Sequence, residues 1–146
     1  MEEKIRLSKF EKDDAEFIQD NFSFAFRDCS ITNLESIIEG WKNTLGFCIV
    51  YNNEKVGFII LSQKQEGKLG FGIAVRQEYR GLGIATKAFS LAKEKAKEKG
   101  YSVITSSCSA DNYASKGLHE KLGFKIIKTE TNSAGNEMYR WEMVIL

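Results

Sequence analysis

Proline is absent from this chain, histidine occurs once, and cysteine occurs three times in 146 residues. Without proline no strand carries an obligatory break, and turns fall to glycine, asparagine and serine. Cys29, Cys48 and Cys108 are odd in number, widely separated and outside metal-ligand spacing. They argue against a disulfide framework and against a metal site, and read as reduced thiols that behave as small buried hydrophobes. Long apolar runs are missing too: nothing approaches the roughly 20 residues that cross a bilayer, and the start MEEKIRLSKF has no signal-peptide apolar region. The expected location is cytoplasmic, with no membrane partner. Nor is there an excess of one charge, since Lys+Arg 21 against Asp+Glu 20 leaves a net charge of +1. No overall field draws the chain to nucleic acid, and no nucleic-acid partner is expected.

What is present is an ordinary globular composition, 42% hydrophobic and 28% charged, enough for one domain over residues 1–146. Lys4 to Leu7 alternates as a strand, and Asp14 to Asp20 fits a short amphipathic helix. Phe22, Phe24 and Phe26 follow at two-residue spacing and read as core, and Thr32-Asn-Leu-Glu35 has the form of a capping box ahead of a helix from Ser36 to Asn43. Gly46 to Tyr51, the polar turn Asn52-Asn-Glu-Lys55 and Val56 to Leu61 make a hairpin, and a second turn at Gln65-Glu-Gly-Lys68 leads to Leu69 to Val75. Three antiparallel strands in succession are therefore expected.

The most informative stretch starts there. The strand Leu69 to Val75 empties through Arg76-Gln-Glu-Tyr-Arg-Gly-Leu-Gly-Ile-Ala85 into a lysine-rich helix that ends at Gly100. A strand feeding a helix N-terminus through glycines gathers unpaired N–H groups at one point, which suits a phosphate. Gly81-Leu-Gly83-Ile-Ala-Thr86-Lys87 lacks P-loop spacing, and Thr105-Ser-Ser-Cys108 ends the next strand where a dinucleotide site wants an acid. Both the nucleoside triphosphate and the NAD readings weaken. Tyr101 to Thr105 reads as a strand, so the order strand, helix, strand implies at least one parallel pair.

A further helix begins near Asp111 and stops at Gly123. At about 100° per residue Asn112, Ser115, Leu118, His119 and Leu122 share one arc, so the single histidine faces inward. Phe124 to Thr131, the turn Asn132-Ser-Ala-Gly-Asn136 and Met138 to Leu146 close the chain as a hairpin.

Arg80-Gly-Leu-Gly-Ile-Ala85, followed by Asn112-x-x-Ser115-x-x-x-His119-x-x-x-Gly123-Phe124, resembles the GNAT superfamily of N-acetyltransferases over essentially the whole chain. The resemblance implies an α/β (α+β) fold, a mixed and mostly antiparallel sheet of six to seven strands with about four helices on both faces. Their order is one strand, two helices, three strands, the turn and its helix, strand, helix and a hairpin. It also implies acetyl-CoA as co-substrate, with no metal. Backbone groups of Ile73, Ala74 and Val75 would meet the pantetheine arm and thioester. Arg80, Gly81, Leu82, Gly83, Ile84, Ala85 and Thr86 would cradle the pyrophosphate, with Arg76 and Lys87 adding charge. Asn112 and Ser115 would order the pantetheine.

The chain departs from the family in three places. His119 stands where the family has the tyrosine that protonates the departing thiolate; as an imidazole it is a candidate general acid, a thiol-contacting residue or a structural histidine. Glu78 replaces a Gln or Arg ahead of the glycine turn and brings repulsion toward phosphates unless it pairs with Arg76 or Arg80. The strand Leu69 to Val75 has no acid to serve as general base, which leaves Glu66 in the preceding turn, a water chain, or an amine that arrives neutral. Cys108 is the only nucleophile in view for a covalent route, and burial is its simpler reading. The expected activity is direct transfer of an acetyl group from acetyl-CoA to a primary amine of a small molecule or peptide. The alternative is a non-catalytic acyl-CoA-binding or sensing module. Phe24, Phe26, Trp41, Tyr113, Asn132 and Trp141 either shape the acceptor pocket or fill core, and the resemblance leaves a homodimer open.

Overall fold

The computed structural model describes residues 5–11, 13–22, 35, 39, 45–65 and 67–146. Their elements are β1 (Ile5–Lys9), α1 (Asp14–Asn21), β2 (Leu45–Tyr51), β3 (Glu54–Gln65), β4 (Lys68–Val75), a 3-10 turn (Gln77–Tyr79), α2 (Ile84–Glu98), β5 (Val103–Ser109), α3 (Tyr113–Leu122), β6 (Lys125–Thr131) and β7 (Glu137–Val144). Three helices are described where about four were expected. The helix placed at Ser36 to Asn43, like Phe24, Phe26, Cys29, Trp41 and Glu66, lies outside the described residues, although Glu35 and Glu39 are helical.

The strands form one seven-stranded sheet in the order β1-β2-β3-β4-β5-β7-β6. β1 to β4 are antiparallel neighbours, β4 and β5 run parallel, and the β6–β7 hairpin adds antiparallel through β7. The three successive antiparallel strands and the single parallel crossover are as the sequence implied. β2 is buried at every position because the sheet is covered on both faces here. Leu45, Phe47, Ile49 and Tyr51 join the larger core beneath α2, which contributes Ile84, Ala88, Phe89, Ala92 and Ala96. Cys48 points the other way, into a smaller cluster with Phe10, Ala15, Ile18 and Phe58 beneath α1.

Two local devices hold β3 in place. Asn52 and Asn53 both take positive φ, 49° and 70°, the conformation that a tight hairpin demands and asparagine tolerates. Gly57 lies so close to β4 that a Cβ there would sit 2.2 Å from the Ala74 carbonyl oxygen. Between these two positions, Lys55 pairs with Asp14, which is buried and accepts the Glu11 N–H at 2.7 Å. The pair ties α1 to β3.

Candidate active site

β4 and β5 are in register only at Lys68–Val103, Leu69–Ile104 and Gly70–Thr105. Beyond these pairs the strands separate, and a cleft of about 670 Å³ opens between them. It is lined by Ile73, Ala74 and Val75 from β4, by Arg80, Gly81, Gly83, Ile84, Ala85 and Thr86 from the turn and the start of α2, and by Asn112, Ser115 and His119 from α3. Of the residues that the sequence placed at the cofactor, Leu82, Arg76 and Lys87 do not line it; Leu82 is half exposed.

The turn is shaped by its glycines. Gly81 and Gly83 both have φ of +79°, and a Cβ at either would meet nothing within 4 Å. The space above them is open, as a ligand that approaches the backbone requires. Gly83 is the N-cap of α2 and offers no side chain to its first turn, so the leading N–H groups are left for a ligand. Arg80 donates from Nε to the Val75 carbonyl oxygen at 3.1 Å, which ties the turn to β4. These residues fit a pyrophosphate.

The other charges near the turn are arranged differently. Glu78 accepts from Arg76 Nη2 at 3.0 Å, and Arg76 lies over the Tyr79 ring, 5.4 Å from its centroid. A bond from its own backbone N–H, and next the Arg76 charge, hold the Glu78 carboxyl below the usual range. Its repulsion toward a phosphate is thus largely met by Arg76, and neither residue lines the cleft. Lys87 is exposed and also points elsewhere.

α3 starts at Asn112, whose Oδ1 accepts the Ser115 N–H at 3.0 Å, and ends at Gly123 with φ of +100°. This fixes the helix so that His119, 4% exposed, is its buried residue. The His119 ring stacks on Trp141 and meets Phe71 and Phe124 edge-on. Its Nδ1 is 2.7 Å from the Ser115 carbonyl oxygen, which can only accept, so Nδ1 carries the hydrogen. Nε2 is 2.8 Å from Ser106 Oγ and, in the neutral ring, accepts from that hydroxyl. Burial pushes the imidazole pKa below its ordinary 6.5, with the Ser115 bond opposing. The neutral ring therefore presents no proton of its own to the cleft.

Ser106 was not among the residues the sequence brought forward. It is one serine in Thr105-Ser-Ser-Cys108, and only alternation along β5 marks it, placing it on the face of Ile104 and Cys108. In the fold it pairs with Trp141 across β5–β7 and lies where β4 and β5 part. Cys108 does not line the cleft: it is buried, and its Sγ accepts the Trp141 indole N–H at 3.2 Å. Trp141, 1% exposed, fills core and also lines an adjoining cleft, while Tyr113 is largely exposed.

A second cleft, about 620 Å³, meets the first at Phe71, Ser106 and Ser107, which line both. Its polar wall carries Lys68, Lys128, Glu130, Arg140 and Glu142. Arg140 Nε donates to Glu130 Oε1 at 3.0 Å, and Lys68 pairs with Glu142 at 3.5 Å. The Arg140 bond holds the Glu130 carboxyl below its usual range.

Comparison with known proteins agrees with this geometry. An L-methionine sulfoximine/L-methionine sulfone acetyltransferase of Pseudomonas aeruginosa is 31% identical over 75 residues, 51% of this chain and 43% of that protein. N-alpha-acetyltransferase 30 of Schizosaccharomyces pombe is 38% identical over 52 residues, 36% of this chain and 35% of that protein. The chain thus aligns with less than half the length of these curated relatives. The protein yncA of Salmonella typhimurium, solved with its cofactor acetyl-CoA, superposes with a TM-score of 0.81 at 17% identity, covering 100% of this chain and 95% of that one; at that identity the likeness is one of fold. Residues 15–124, from α1 through the glycine turn to the end of α3, match the acetyltransferase (GNAT) family. With the parted strands, the glycine turn and the Asn112 helix all inside that span, the chain belongs to this family.

Proposed function

We propose that this protein is an acetyl-CoA-dependent N-acetyltransferase that passes the acetyl group directly to a primary amine. One observation carries the reading: β4, the glycine turn and α3 converge on a single cleft whose glycine backbone is open to a phosphate. In this reading Gly81 to Thr86 and Arg80 hold the pyrophosphate, Ile73 to Val75 flank the pantetheine arm, and Asn112 and Ser115 order it against α3. The thioester then lies where β4 and β5 part, beside Phe71 and Ser106.

The acceptor enters through the second cleft, which reaches the same point from the other side. Lys68, Lys128 and Arg140 facing Glu130 and Glu142 suit an amine that also bears an anionic group, such as a free amino acid or a peptide. The Pseudomonas relative is named for amino-acid analogues, which fits that preference. No acid is present on β4, and Glu66 lies outside the described residues; the amine proton is taken by Glu66, by a water chain or by another group at the junction, or the amine arrives neutral.

The test is thiol release from acetyl-CoA over a panel of amino acids, peptide N-termini, polyamines and aminoglycosides. Release with at least one class, strongest for amino acids or peptides, is expected. Tight CoA binding without release on any amine would favour the binding or sensing module instead.

A further inference from the structure

The reaction needs a group that removes a proton from the attacking amine and one that gives a proton to the departing sulfur. β4 supplies no acid, and His119 is buried and neutral, with its Nδ1–H committed to the Ser115 carbonyl. Only Nε2 remains to exchange a proton. Phe71 and Phe124 carry no exchangeable proton, the Trp141 N–H is directed to Cys108, and the Ser115 hydroxyl, 3.4 Å away, lies on the Nδ1 side, whose hydrogen is given to the Ser115 carbonyl. The open route is the Ser106 hydroxyl, 2.8 Å away. Ser106 lines both clefts, so the residue stands where the cleft of the acyl donor meets that of the acceptor, with its hydroxyl turned to His119.

We infer that Ser106 and His119 form a two-way proton relay, with Ser106 the catalytic residue at the reacting atoms and His119 the proton store behind it. The inference rests on the acetyltransferase reading above. As the neutral amine attacks the thioester carbonyl, the N–C bond forms. The amine's proton passes to Ser106 Oγ while the Ser106 hydroxyl proton passes to His119 Nε2. When the C–S bond breaks, the imidazolium returns its proton to Ser106 Oγ, and the Ser106 hydroxyl protonates the thiolate. One amine proton ends on sulfur, the products are amide and thiol, and both side chains regain their starting states. The Ser115 carbonyl on Nδ1 fixes the tautomer and steadies the transient positive charge. A single pair thereby does the work of the missing strand acid and of the tyrosine that His119 replaces.

The arrangement of hydroxyl, imidazole and orienting carbonyl also resembles that of an activated nucleophile. A nucleophile would become acetylated by the donor in the absence of amine, whereas a relay leaves Ser106 unmodified, and that difference separates the two.

The experiment measures thiol release by the wild type, Ser106→Ala, Ser106→Thr, His119→Gln and the Ser106→Ala/His119→Gln double variant. CoA affinity and thermal unfolding serve as controls for folding. Expected are a fall in kcat of roughly a hundredfold for Ser106→Ala with little change in KM for acetyl-CoA, and recovery of most of it in Ser106→Thr, which restores the hydroxyl. The double variant should be no slower than the worse single one, because the two act as a unit. A Ser106→Ala variant within about threefold of wild type, or single losses that multiply in the double variant, would overturn the relay and leave the acetyltransferase reading intact. Mass-spectrometric detection of acetylated Ser106 after mixing with acetyl-CoA and no amine would overturn it in favour of a covalent route. Absence of thiol release by the wild type with every amine would remove the acetyltransferase reading, and the relay with it.

Discussion

The His119 imidazole lies on the Trp141 indole with ring centroids 5.0 Å apart and planes inclined by 16°. The same indole donates its N–H to Cys108, so one buried side chain both supports the ring that faces the cleft and locks β7 against β5. Trp141→Ala is expected to cost roughly 3–5 kcal/mol through the cavity it leaves, read as a lowered midpoint in urea unfolding.

His119 makes stability depend on pH. Its folded pKa lies below the ordinary 6.5, so on acidification the unfolded chain takes up the proton before the folded protein does. Above that value the ring is neutral in both states and contributes no slope. As pH falls through it, stability is lost until the folded ring also protonates. Thermal unfolding at about pH 7.5 and about pH 5.5 should show a drop in wild type that is smaller in His119→Gln, which cannot titrate. Equal drops in the two proteins would contradict a buried neutral imidazole.

At Gly57 the prediction is steric. A methyl group 2.2 Å from the Ala74 carbonyl oxygen must push β4 away from β3, so Gly57→Ala should destabilise by at least about 1–3 kcal/mol. Because β4 is one wall of the cleft, CoA affinity, measured by calorimetry, should fall in parallel.

Gly83→Ala separates strain from ligand contact. With φ of +79° and open space around the site, the alanine should cost the free protein only about 1–2 kcal/mol of left-handed strain. A pyrophosphate held over the turn would meet the new methyl directly, so acetyl-CoA affinity should fall by more than about tenfold. An affinity loss no larger than that of an exposed substitution such as Lys87→Ala would place the phosphate elsewhere.

Cys48 should be inert. Burial, and after it the nearby Asp14 carboxylate, push its thiol up to about 12, and the thiolate is the reactive form. Peptide mapping after treatment with a thiol reagent near neutral pH should find Cys48 unmodified in the folded protein and modified in denaturant.

The sequence disclosed what is local and periodic. The glycine turn was legible because Gly81 and Gly83 sit in a short motif before a helix, and the inward place of His119 followed from helical spacing alone. The three antiparallel strands were marked by polar turns, although β3 extends to Gln65, past the apolar run that suggested it, because polar residues also fill its outer end. Ser106 was illegible for a physical reason: its importance comes from neighbours distant in the chain, the ring of His119 and the divergence of β4 from β5, and no spacing in the sequence encodes either. The pairing of Glu78 with Arg76 rather than Arg80 was likewise open, because the Arg80 guanidinium turned out to be needed by the Val75 carbonyl.

The three-residue register between β4 and β5 makes the sheet two blocks, β1 to β4 and β5 to β7, sewn together by a very short seam. A molecule lying in the gap reaches both blocks and takes the place of the rungs that the ladder lacks. Saturation with CoA should then stabilise the fold in proportion to the logarithm of ligand concentration, with the slowed amide hydrogen exchange concentrated in Phe71 to Val75 and Ser106 to Ser109. If the gap holds CoA, the lifetime of this protein in a cell would follow the supply of that ligand, acylated or free.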